Sequence, residues 1–132
     1  MRDYLNFYLN GQWVLPEGRD KLAVINPATE QMAGQISMGT EADVDQAVQA
    51  ATTAFRTFGQ TSKQERLDLL KAVAAEYKKR SADIAVAITE EMGAPKWLSE
   101  SNQAASGYLH FKSAINVLEA FEFEFQQDTS LM

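Results

Sequence analysis

Ala33-Gly34-Gln35-Ile36-Ser37-Met38-Gly39-Thr40-Glu41-Ala42-Asp43-Val44 is the stretch over which the chain changes from strand to helix. Ala33 to Ser37 reads as a short strand, and Gly39 ends the β part. Thr40-Glu41-Ala42-Asp43 fits a helix cap, with a threonine oxygen for the first free amides and acid in the first turn. Val44, Ala47, Val48, Ala51, Phe55 and Phe58 then recur at three-and-four spacing and make one apolar face. Gly59 ends that helix.

Upstream, Leu5-Asn6-Phe7-Tyr8-Leu9 is β-prone, Asn10-Gly11 is a hairpin signal, and Gln12-Trp13-Val14-Leu15 is the return strand. Pro16-Glu17-Gly18 marks a turn. Leu22-Ala23-Val24-Ile25 is a short apolar strand, stopped by Asn26-Pro27 because proline cannot donate to a ladder.

Downstream, Ser62-Lys63-Gln64-Glu65 is a capping box opening a second helix, with Leu67, Leu70, Val73, Ala74 and Tyr77 inward. Lys78, Lys79 and Arg80 stand where the helix dipole favours cations. Ser81 to Met92 gives a third helix with Ile84, Ala85 and Ile88 inward, closed by Gly93 and Pro95. A fourth, longer helix is expected from near Lys96 to about Glu119, carrying Leu98, Ala105, Tyr108 or Leu109, Ile115 and Leu118. Gly107 weakens its continuity. Phe121-Glu122-Phe123-Glu124-Phe125 alternates aromatic and acid, the period of a half-buried strand, and no neighbouring strand is in view. The expected organisation is strands and hairpin over 1–39, helices over 40–120 and a terminal strand within 121–132.

At 132 residues and 45% hydrophobic content, the chain suits one compact domain or a piece of a larger one. A formal net charge of -6 argues against non-specific nucleic-acid binding, which needs Lys and Arg to neutralise phosphates. No apolar run approaches the roughly 20 residues of a membrane helix. Met1-Arg2-Asp3-Tyr4 lacks the layout of a signal peptide, so cytoplasm is the default expectation. The cysteine count is 0, which removes disulfides and thiolate metal sites.

Self-contained chemistry is scarce. His110 is the only histidine, so no histidine pair can hold a metal, and it reads as a surface or packing residue. Gly34 and Gly39 make no phosphate loop, and no G-x-G-x-x-G follows a strand. The acid pairs Glu90-Glu91 and Asp43/Asp45 read as solvated faces or helix ends.

Four segments, in order and at their spacings, carry a family resemblance: Asn26-Pro27-Ala28-Thr29-Glu30, Asp43-Val44-Asp45-Gln46-Ala47-Val48, Glu65-Arg66 and Glu91-Met92-Gly93-Ala94-Pro95. Together they closely resemble the N-terminal region of the NAD(P)-dependent aldehyde dehydrogenases, and the likeness runs from Tyr8-Leu9-Asn10-Gly11-Gln12-Trp13-Val14 to the final helix. The resemblance implies an incomplete α/β fold whose helices pack on a cofactor domain, and a chain end that approaches the arm through which subunits assemble. It implies NAD or NADP as cofactor of the complete enzyme, with none bound by this chain alone. A small aldehyde is the implied substrate, and a homo-oligomer the implied assembly. In that family a cysteine thiolate attacks the aldehyde to give a thiohemiacetal, hydride passes to the nicotinamide, and a glutamate-activated water releases the acid. No residue here matches the nucleophile or the cofactor loop, so no catalytic or cofactor-binding residue is assigned. The resemblance also implies a monovalent-cation site from main-chain oxygens around Val24 and Ile25 and the carboxylate of Glu91, where the family's usual acid is aspartate. It further implies a substrate entrance near Asn102 and Ser106.

The expectation is therefore the N-terminal section of an aldehyde dehydrogenase, inactive by itself. The alternative is a non-catalytic helical module that recruits a partner through its Phe-rich end.

Overall fold

The computed structural model describes residues 2–16, 20–127 and 130–131. Strands β1 (Arg2–Tyr4), β2 (Phe7–Leu9), β3 (Gln12–Val14), β4 (Lys21–Asn26) and β5 (Gln31–Ser37) come first. Helices α1 (Glu41–Phe58), α2 (Lys63–Lys79), α3 (Ser81–Met92), α4 (Lys96–Leu98) and α5 (Ala104–Ala120) follow. A π-helical turn, Ser99–Gln103, joins α4 to α5, and the short strands β6 (Gln126–Gln127) and β7 (Ser130–Leu131) close the order. This is the expected sequence of strands, helices and a terminal strand.

The strand expected over Leu5 to Leu9 is divided between two sheets. β1 runs parallel to β5 in a three-stranded sheet of order β1-β5-β4, whereas β2 pairs antiparallel with β3. Leu5 and Asn6 carry the chain from one sheet to the other. The crossing is fastened where the Ser37 hydroxyl, nearly buried, donates to the Leu5 carbonyl at 2.8 Å. Asn10 and Gly11, both at positive φ (49 and 78), form the two-residue turn whose twist matches the flanking strands. Glu17 and Gly18 of the expected turn after Pro16 lie outside the described residues.

Both capping boxes form. The Thr40 amide donates to the Asp43 carboxylate at 2.8 Å, and the Ser62 amide to that of Glu65 at 2.7 Å, so each helix gains an acid at its electropositive end. Three helices make the core. The buried apolar side chains among the described residues are Leu67 and Ala74 of α2, Ala85 of α3 and Ala104 of α5. Small residues dominate that group because the helix backbones approach closely. The Tyr77 hydroxyl donates to the Ala104 carbonyl at 2.9 Å, and a Cβ at Gly107 would fall onto that same hydroxyl. Gly107 therefore does not interrupt α5. It is the vacancy into which Tyr77 fits.

Helix α1 stands apart. No residue of it is buried, and among the described residues its neighbouring element is β2. Val44, Val48, Phe55 and Phe58 are all exposed, Phe55 at 65%.

The terminal strand does not lie where the aromatic-acid alternation placed it. Phe121 to Phe125 are irregular, and pairing begins at Gln126, which faces Leu131 across a local hairpin. A strand needs a neighbour to take its backbone hydrogen bonds, and among the described residues no strand pairs with Phe121 to Phe125. The rings of Phe121 and Phe123 instead meet edge to face, their centroids 4.9 Å apart. Residues 128, 129 and 132 of the expected arm lie outside the described residues.

Candidate functional site

Two of the singled-out segments meet in space. The Asn26 side-chain oxygen accepts the Ala28 amide at 2.9 Å, which folds Asn26-Pro27-Ala28 into a tight turn between β4 and β5. Gly93, at the end of α3 with φ 67, lies against that turn. A Cβ at Gly93 would stand 2.8 Å from the Ala28 nitrogen and 2.9 Å from the Asn26 side-chain oxygen. Glycine is required there twice over, by the left-handed backbone and by the approach of the turn. The contact locks the β4–β5 hairpin to the C-terminus of α3.

Beside this lock is a cavity of about 40 Å³, lined by Tyr4, Val24, Ala33, Gly34, Ile36, Glu90 and Glu91. The β4–β5 register shifts between Val24 and Ile25: Val24 faces Gly34 and Ile25 faces Met32, leaving Ala33 as the extra residue of a bulge. The structure thus brings Val24 and Glu91, two of the three expected cation ligands, to one small cavity. Ile25 follows on the strand but does not line it, and its side chain is 49% exposed. The cavity is large enough for a water molecule, which needs roughly 10–15 Å³. Among the described residues no three of His, Asp and Glu cluster to hold a metal, and the carboxylates lining this cavity are those of Glu90 and Glu91.

The expected entrance residues lie elsewhere. Asn102 belongs to the π-helical turn and Ser106 to α5, and both are exposed. The Ser106 hydroxyl donates to the Gln103 carbonyl at 2.7 Å, and the Asn102 side-chain oxygen accepts from Ser101 at 2.8 Å. The same turn holds a feature the sequence did not point to. Ser99 is fully buried and bonded to Thr89 of α3 at 2.9 Å, which pins the turn to that helix. His110 is exposed on α5. Among the described residues, the strand-to-helix connection Met38-Gly39-Thr40 leads from β5 into α1 and carries one glycine.

Known proteins share this arrangement. The model of the aldehyde dehydrogenase family matches residues 13–130. A 3-succinoylsemialdehyde-pyridine dehydrogenase from a Pseudomonas species is 50% identical over 125 residues, covering 94% of this chain and 26% of that protein. An aldehyde dehydrogenase crystal structure from Bartonella henselae matches with a TM-score of 0.93 at 37% identity, covering 98% of this chain and 28% of that one. Aldehyde dehydrogenase C from Pseudomonas syringae, crystallised as a mutant with NAD+ and octanal, matches at 0.90 and 31% identity over 96% of this chain and 26% of its own. The chain belongs to the aldehyde dehydrogenase family. It matches the N-terminal part of its relatives and spans about a quarter of the length of the curated relatives.

Proposed function

We propose that these residues are the framework section of an NAD(P)-dependent aldehyde dehydrogenase that oxidises a small aldehyde to its acid through a cysteine thiohemiacetal supplied by another part of the protein. The section is not competent alone, because its cysteine count is 0 and no cofactor loop is present. One observation carries the reading. The chain exposes 10103 Å², whereas a compact monomer of 14.7 kDa exposes about 6,900 Å². The excess includes the apolar face of α1, the kind of surface that a further layer of protein covers. A self-standing recruitment module using the Phe-rich end accounts for Phe121 to Phe125 but leaves the α1 face unexplained.

Within this reading the main-chain oxygens at Val24 and Ile25 and the Glu91 carboxylate hold a monovalent cation that ties β4 to α3, and Asn102 and Ser106 border the path of the aldehyde. The complete protein works in the cytoplasm as a homo-oligomer, without nucleic acid or membrane. The charge of -6 agrees with the first exclusion, and no described helix is long and apolar enough to span a bilayer.

The test is a chimera in which this chain replaces the matching quarter of the Pseudomonas relative. Aldehyde-dependent reduction of NAD(P)+ by the chimera, and none by the chain alone, is the expected result. A folded chimera without turnover sinks the reading. The same chimera with Glu91→Gln should lose any dependence of its thermal midpoint on K+ or Na+, and an unchanged salt response would remove the cation site while leaving the framework role intact.

A further inference from the structure

Lysine at the first position of a helix is poorly placed for that helix, because its charge faces the positive end of the dipole. Lys63 occupies that position in α2. Its ammonium group, however, reaches across to the end of α5, donating to the Glu119 carbonyl at 2.9 Å and the Phe121 carbonyl at 2.8 Å. The two helices run antiparallel, since the other end of α2 meets α5 at Tyr77 and Ala104. The positive end of one dipole therefore lies beside the negative end of the other.

Helix α5 lacks the usual means of stopping. Its last turn contains no basic residue, and the residue after it is Phe121, extended at φ -73 and ψ 127, not a left-handed glycine. The final carbonyls of a helix have no partners within it. Among the described residues, apart from the Phe121 amide on the Leu118 carbonyl at 3.3 Å, the donors that meet this end come from α2. Two turns further along α2, Lys71 pairs with the Glu119 carboxylate at 2.8 Å.

We infer that Lys63 is the C-terminal cap of α5, a positioning residue supplied in trans by α2 that fixes where the helix gives way to the irregular Phe121–Phe125 segment and so where the β6–β7 hairpin is carried. One of its bonds lies inside the helix and the other lies beyond it, so the ammonium bridges the point of exit. Lys63 does this whatever reaction the complete protein performs.

Amide hydrogen exchange on the full chain tests the assignment, using Lys63→Met, Lys63→Arg and, as a neighbour control, Lys71→Met. With Lys63→Met, exchange at residues 117–121 should rise about tenfold, in line with loss of charge-assisted hydrogen bonds. Exchange at residues 70–77 in the body of α2 should stay at the parent rate. Lys63→Arg keeps a cationic donor and should restore protection, and Lys71→Met should have a smaller effect than Lys63→Met. Unchanged exchange at 117–121 in Lys63→Met would overturn the inference. So would acceleration spread evenly over α2 and α5, loss of the fold included, or an arginine variant that behaves like the methionine one.

Discussion

Gly93 shows how much one residue can decide in this fold. Its positive φ is a backbone demand, and the Asn26-Pro27-Ala28 turn pressed against it is a packing demand. The two can be separated, because Gly11 has a similar positive φ of 78 with nothing within 4 Å of where a Cβ would sit. Gly11→Ala therefore bears the left-handed penalty alone, roughly 1–2 kcal/mol. Gly93→Ala bears that penalty and must also push the turn away, so it should cost at least about 1 kcal/mol more, on the scale of overpacking. Urea unfolding of both variants measures the difference. Equal losses would show that the turn yields freely and that the hairpin is not locked to α3. The sequence made Gly93 legible as a helix stop. It could not show Asn26 as its partner, because nothing local connects positions 67 residues apart.

Helix ends were the most legible elements, because their chemistry is local. Thr40 with Asp43, and Ser62 with Glu65, form the reciprocal bonds that their spacing specifies. Glu65 also carries a pH dependence. The Ser62 backbone amide, and then its side chain, hold the Glu65 carboxyl below the usual glutamate range. A carboxylate depressed in the folded state contributes stability that is fully present above the unfolded value, about 4.3, and is lost as pH falls through the lower folded value. Amides in the first turn of α2 should thus lose protection as the solution is acidified below about pH 4, and Glu65→Gln should flatten that response while lowering protection at neutral pH. A Glu65→Gln profile that still bends in the same window would assign the effect to another acid. The elements misread were those decided by distant partners. Leu5 to Leu9 has uniform β propensity, yet Ser37 fastens Leu5 where the chain passes between sheets. Phe121 to Phe125 has the alternation of a strand and, among the described residues, pairs with no adjacent strand. Gly107 weakened the expected continuity of the last helix because Tyr77, 30 positions away, is invisible to any local window.

At the scale of the whole molecule, the pattern and the packing part company on α1. Its residues Val44, Val48, Phe55 and Phe58 repeat as faithfully as those of α2, yet α2 buries Leu67 and Ala74 while α1 buries nothing. Periodicity announces that a face seeks a partner and does not say whether the partner lies within the same stretch of chain. The consequence is measurable. An uncovered aliphatic and aromatic face loses free energy by contact at about 25 cal/mol per Å² of apolar area removed from water, so the isolated chain should self-associate. Light scattering at rising concentration should show growth in mass, and Val48→Glu with Phe55→Glu should suppress it. Because neither side chain is buried, circular dichroism should register little loss of helix in that double variant. A parent chain that stays monomeric would mean that the face tolerates water, and the surface excess would then no longer favour a missing covering layer. Loss of association together with loss of helix would mean instead that α1 needs those side chains to stay folded. The two substitutions thus distinguish a docking face from a structural one.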